Sequence, residues 1–149
     1  MPPLRETIRR VLVVDDDASI RDLVSTRLTL AGYVVLTGRN GAEALTRLGE
    51  RRYDAMVLDL SMPEVDGFEV LAKLKTLAFT APPTLVLTAR HDASDVSRAI
   101  QLGARDYLAK PFADRQLLMR VARLFRTRAA TLEDLLDIES LLSPGAATG

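Results

Sequence analysis

The chain has 149 residues, with 20 Lys and Arg balancing 20 Asp and Glu and no cysteine; that length holds one domain with a tail and buries about two-thirds of its unfolded surface without a disulfide or metal staple. The balanced charge leaves no global field to draw nucleic acid or an anionic membrane, and the lack of cysteine fits a reducing compartment. The first ten residues lack the apolar stretch of a signal peptide, and no apolar run approaches the roughly 18 residues of a membrane span, so a soluble, cytoplasmic protein is expected.

Val11-Leu12-Val13-Val14 is a continuous apolar run that ends in acid, Asp15-Asp16-Asp17. Runs of this kind, apolar on both faces, suit strands of a parallel sheet covered on each side. Apolar residues then recur at roughly helical spacing at Ile20, Leu23, Val24, Leu28 and Leu30, and Gly32 ends that helix. Val34-Val35-Leu36 reads as a second strand and 41–51 as a second helix, with Ala44, Leu45 and Leu48 on one side. The third strand, at Asp54-Ala55-Met56-Val57-Leu58, ends in Asp59; Met62-Pro63 stops it, and Asp66-Gly67 opens a turn into a helix over 67–77.

Pro82-Pro83 precedes the fourth strand, Thr84-Leu85-Val86-Leu87-Thr88, which ends in a hydroxyl. A weaker helix over 93–102 is closed by Gly103, and a short fifth strand, Asp106-Tyr107-Leu108-Ala109, runs into Lys110-Pro111. A helix over 114–128 follows, apolar at Leu117, Leu118, Val121, Leu124 and Phe125. Strands alternating with helices imply right-handed crossovers, hence an α/β fold with a five-stranded, doubly wound parallel sheet.

Ligands in such sheets gather at the carboxyl ends of the strands. There the chain places Asp15 and Asp16 from the first strand, Asp59 from the third, Thr88 from the fourth and Lys110 from the fifth. Three carboxylates in one place repel each other. Against the single cation of Lys110 they leave a charge of −2, which one divalent ion balances, and oxygen-only ligands select Mg²⁺, with Mn²⁺ as the alternative, over zinc. Beside such an ion Asp59 is a nucleophile able to form an aspartyl phosphate, with Lys110 neutralising phosphoryl oxygens and Thr88 hydrogen-bonding the group once in place. Taken singly these residues have blander readings, Asp59 as a loop cap and Lys110 as a solvated lysine; their conjunction carries the argument.

Val13-Val14-Asp15-Asp16-Asp17, Val57-Leu58-Asp59-Leu60-Ser61-Met62-Pro63 with Asp66-Gly67, Leu87-Thr88-Ala89 and Tyr107-Leu108-Ala109-Lys110-Pro111-Phe112 resemble the receiver domain of two-component response regulators, the CheY-like superfamily. The resemblance implies a flavodoxin-like sheet of strand order 2-1-3-4-5 and a regulatory phosphoacceptor rather than an enzyme. It implies that Asp59 takes a phosphoryl group from a histidine kinase or phosphotransfer protein, and that Asp16, Asp59 and the backbone carbonyl of Ser61 bind Mg²⁺ while Asp15 acts through water. Thr88 and Tyr107 take the place of the family's switch pair, so the face built by the helix from Ala93, the strand at Tyr107 and the helix from Asp114 is expected to change and select a downstream partner or output domain. Ser61 and Arg90, two residues beyond Asp59 and Thr88, are expected to set the lifetime of the phosphate.

Other readings fit less well. A dinucleotide-binding domain needs a glycine-rich loop after the first strand, where three aspartates stand instead. An aspartyl-nucleophile, metal-dependent phosphohydrolase places a second aspartate two residues after the nucleophile, and here that position is Ser61. A receiver that acts only as a protein-interaction module would have lost part of the constellation. His91, the single histidine, reads as an exposed loop residue, and nothing resembles a helix-turn-helix, so no direct nucleic-acid contact is expected.

The expected organisation is an N-terminal extension over 1–9, the receiver over 10–128, an acidic amphipathic helical tail over 129–142 and a disordered end over 143–149. In the tail, Leu132, Leu135, Leu136, Ile138, Leu141 and Leu142 give an apolar side, and Glu133, Asp134, Asp137 and Glu139 are its charges. So few apolar residues do not hold a lone helix in water, so the tail is expected to pack on its own receiver or on a second copy. A homodimer would form through the tail or through the face around Tyr107.

Overall fold

A computed structural model of the chain describes residues 8–77, 81–89 and 93–125. Five strands, β1 (Arg10–Val14), β2 (Val34–Gly38), β3 (Ala55–Asp59), β4 (Thr84–Thr88) and β5 (Asp106–Ala109), alternate with five helices, α1 (Ala18–Leu30), α2 (Gly41–Glu50), α3 (Gly67–Thr76), α4 (Ala93–Gln101) and α5 (Asp114–Leu124). All strands are parallel, in the order β2-β1-β3-β4-β5, as expected.

Successive side chains of a strand point to opposite faces, and the apolar runs divide accordingly. Leu12, Val14, Met56, Leu58 and Val86 pack with Ala44, Leu48, Phe68, Leu71, Leu74 and Ala99 from α2, α3 and α4. Val11, Val13, Ala55, Val57, Leu85 and Leu87 pack on the other face with Val24 and Leu28 of α1 and Leu117, Val121 and Leu124 of α5. Every residue of β3 and β4 is buried, which explains why these strands show no polar alternation.

Three helix starts follow one device. Asp17, Asn40 and Asp66 accept backbone N–H bonds from the first turns of α1, α2 and α3, satisfying donors that a helix end leaves orphaned. Gly32 and Gly103 close α1 and α4 at φ 101° and 110°, the left-handed region that side chains avoid.

The structure departs from the sequence reading in two places. Leu23 and Leu30 belong to the helical apolar pattern of α1, yet Leu23 is exposed and Leu30 is 76% exposed; Val24 and Leu28 do the burying, with Ile20 half-buried. Strand β2 runs on to Thr37 and Gly38, which lie in register with Val13 and Val14; backbone pairing with β1 extends it past its apolar residues. The readings at Arg90 and His91, and those for the segments over 1–7 and 126–149, lie outside the described residues.

Candidate phosphoryl-acceptor site

Register brings the strand ends together. Val14 pairs with Leu58 and Asp59 with Leu87, so Asp15, Asp59 and Thr88 stand side by side at one edge, and the Lys110 N–H donates to Thr88 O at 2.8 Å. Asp15, Asp16 and Asp59 each offer one carboxylate oxygen, all within 4.8 Å of one another. Asp15 and Asp59 are buried and Asp16 is exposed.

The two buried acids share one cation. Lys110 Nζ donates to Asp15 Oδ2 at 2.9 Å and lies 3.5 Å from Asp59 Oδ1. The Asp17 N–H donates to Asp15 Oδ1 at 3.0 Å, and the Ser61 N–H to Asp59 Oδ1 at 3.2 Å. Arg21 adds a bond to the backbone carbonyl of Asp15 at 2.9 Å, tying α1 to the site. Both oxygens of Asp15 are therefore engaged, while exposed Asp16 opens to solvent.

Burial, then the neighbouring Asp15 carboxylate, push Asp59 up to about 7, against the opposing pull of Lys110 and the Ser61 N–H. Burial also works against the Lys110 ammonium, but its bonds and proximity to Asp15 and Asp59 outweigh that, and its pKa is raised. Among the described residues, three acids and one lysine thus meet at this edge, an excess of acidic groups that burial and mutual repulsion penalise. A divalent cation with hard oxygen ligands fits that excess and that donor set.

Thr88 is fully buried at the end of β4. Tyr107 lies in β5 opposite Val86 and is 41% exposed, turned outward rather than toward Thr88. Ser61 is exposed just beyond Asp59.

Two backbone features that the sequence did not signal shape the loop after Asp59. Glu64 has φ 66°, a left-handed conformation that costs a non-glycine residue about 1 kcal/mol or more. Gly67 presses against the strand so closely that a Cβ there would meet Asp59 O at 2.5 Å and Leu60 Cα at 2.8 Å; Gly41 at the start of α2 likewise abuts Val65 O. The loop is clamped between strand and helix by contacts that only glycine permits.

Residues 11–122 match the family described as the response regulator receiver domain. The chain belongs to this family. As a receiver it is a regulatory signalling domain rather than a dedicated enzyme. It is 44% identical over 117 residues to the response regulator MprA of Mycobacterium ulcerans, an alignment covering 78% of this chain and 50% of that protein. It is 37% identical over 139 residues to the probable transcriptional regulator ycf27 of Guillardia theta, covering 93% of this chain and 54% of that one. The receiver thus spans about half the length of these curated relatives. Among solved structures, chemotaxis protein CheY4 of Vibrio cholerae superposes with a TM-score of 0.73 at 36% identity, covering 79% of this chain and 99% of that chain. A response regulator from Chloroflexus aurantiacus reaches 0.76 at 33% identity, covering 80% and 99%. No helix among the described residues of this receiver is long and apolar enough to cross a membrane.

Proposed function

We propose that this receiver is a phosphoacceptor switch in which Asp59 takes a phosphoryl group from the phosphohistidine of a histidine kinase or phosphotransfer protein. The observation that carries the reading is the placement of Asp59, buried at the end of the central strand within reach of both a second acid and Lys110 Nζ. A carboxylate oxygen of Asp59 forms the new O–P bond as the donor's P–N bond breaks and the leaving imidazole takes up a proton. Lys110 neutralises a phosphoryl oxygen as charge moves onto it. Mg²⁺, or Mn²⁺, held by Asp16, Asp59 and the Ser61 carbonyl, with Asp15 acting through water, would supply charge neutralisation at the transferring group.

Thr88 then hydrogen-bonds the phosphoryl group, and Tyr107 moves inward from its exposed position. Reversing a 1:99 population to 99:1 takes about 5.5 kcal/mol, and charge-assisted hydrogen bonds of about 1.5–3 kcal/mol each from Thr88 and Lys110 supply most of that. The surface of α4, β5 and α5 changes and alters binding of a partner or an output domain, in keeping with relatives about twice as long. Ser61 and Arg90 flank the path of hydrolytic water and set the lifetime of the phosphate. We further assign this receiver to the cytoplasm, with a homodimer formed through this face or the acidic tail and no direct contact to nucleic acid.

The test is intact mass after incubation with acetyl phosphate and Mg²⁺. One phosphate adduct is expected, absent in Asp59→Ala and absent with chelator; an adduct that persists in Asp59→Ala overturns the assignment.

A further inference from the structure

A row of apolar side chains runs along the seam between α1 and α5. On α1, Leu23, Arg27 and Leu30 recur at steps of four and three, so they share one side of the helix. On α5, Asp114, Leu118, Ala122 and Phe125 recur at steps of four, four and three, again one side. Arg27 Nε lies 2.8 Å from Asp114 Oδ2, which sets these two sides against each other. Leu118, Ala122 and Phe125 are half-buried, whereas Leu23 is 37% and Leu30 76% exposed.

The foot of the seam is well fastened. The Phe125 ring stacks on Tyr33 with centroids 5.7 Å apart, and the Arg9 guanidinium sits 4.1 Å from the centre of the Phe125 ring. The described residues end there, so 126–149 set out from the foot of the seam.

The sequence that follows matches the seam in length and charge. Residues 132–142 number 11, as does α5, and as a helix each is about 16 Å long. The six residues 126–131 reach about 20 Å when extended, enough to reverse the chain. Residues 129–142 carry Glu133, Asp134, Asp137 and Glu139 and no base. On α5, exposed Arg115 and Arg123 make no ion pair among the described residues, and Arg9 adds a cation at the foot. Continuing α5 in a straight line would instead carry Leu132 about 10 Å beyond Phe125, away from the seam, and so few apolar residues do not hold a lone helix in water.

We propose that residues 132–142 fold back as a helix onto the seam between α1 and α5 of their own chain, covering Leu23 and Leu30 with Leu135, Ile138 and Leu142. These three recur at steps of three and four, so they share one side of that helix. The docking stands apart from the Asp59 chemistry, and it narrows the homodimer to the face of α4, β5 and α5.

The experiment compares amide spectra, hydrogen exchange and mass by light scattering for the ¹⁵N-labelled full chain and two full-length variants. One is the triple substitution Leu135→Ser, Ile138→Ser and Leu142→Ser; the other is Leu30→Asp, at a position outside the core. The triple variant is expected to shift the amides of Leu23, Arg27, Leu30 and Ala122, with those of Asp15, Asp59 and Tyr107 unmoved and the mass unchanged. Leu30→Asp is expected to speed exchange at 135–142 by about tenfold while leaving β3 and β4 as they are. Unmoved seam amides, shifts confined to another face, or equal exchange at 135–142 in Leu30→Asp and the parent would each overturn the proposal. A lower mass in the triple variant would also overturn it, by assigning the seam to the tail of a second copy.

Discussion

Lys110 Nζ is 2.9 Å from Asp15 Oδ2 and more distant, 3.5 Å, from Asp59 Oδ1, so the lysine is hydrogen-bonded to the acid that is not the proposed phosphoacceptor. In this arrangement it secures a fully buried carboxylate while its ammonium stays within 3.5 Å of Asp59 Oδ1. Removing it leaves Asp15 buried and uncompensated, and breaking such a pair costs about 3–5 kcal/mol. Lys110→Ala is therefore expected to lower the stability of the metal-free chain by about 2–4 kcal/mol, with Mg²⁺ restoring part of the loss. Urea unfolding with and without Mg²⁺ measures both; an unchanged midpoint would show that Asp15 does not need the lysine.

The raised pKa of Asp59 ties stability to pH. In the metal-free chain the folded state holds a proton on Asp59 up to about pH 7, whereas the ordinary value is 3.8. Between these values the folded state binds more protons, so the contribution is fully present below pH 4 and is lost as pH rises through 7. Each unit is about 1.4 kcal/mol, which makes the swing on the order of a few kcal/mol. Asp59→Asn, neutral at every pH, is expected to flatten the stability profile between pH 4 and 8 in chelator and to be the more stable protein at pH 8. Parallel profiles for the two proteins would contradict the shift.

Two glycines make a matched pair. A Cβ at Gly67 meets the backbone of Asp59 and Leu60, which cannot yield, whereas at Gly49 in α2 it meets nothing within 4 Å. Gly67→Ala is expected to destabilise by about 2 kcal/mol or more and to slow phosphorylation from acetyl phosphate by displacing the acceptor strand end. Gly49→Ala should be neutral or stabilising by up to about 1 kcal/mol. Thermal melts and adduct formation on the two variants check the contrast.

The segment over 129–142 carries a prediction from sequence alone. Its apolar side must be buried for a helix to persist, so a chain ending at Arg128 is expected to melt lower or to change mass in light scattering relative to the full chain. Identical melting temperature and mass would make the segment a linker.

Much of the site was legible because burial on both faces leaves little choice of residue. The uniform apolar runs of β1, β3 and β4 announce buried strands, and a charge or hydroxyl at the end of each stands out against them. Edge positions were less legible. Gly38 and Thr37 are drawn into β2 by pairing with β1, which no periodicity records, and the outward Leu30 follows from which side of α1 meets the sheet. The Gly41 contact with Val65 is a product of tertiary approach between separate segments, and the left-handed Glu64 sits in the loop beside it, so no local pattern encodes them.

The sheet divides the interior into two apolar compartments that meet only through its backbone, one under α1 and α5 and one under α2, α3 and α4. Substitutions lodged in different compartments share no neighbours, so their energetic effects should sum, as for Val24→Ala combined with Leu74→Ala. Side-chain volume can then change beneath α1 and α5 without retuning the packing beneath α2, α3 and α4, so each compartment tolerates repacking on its own terms.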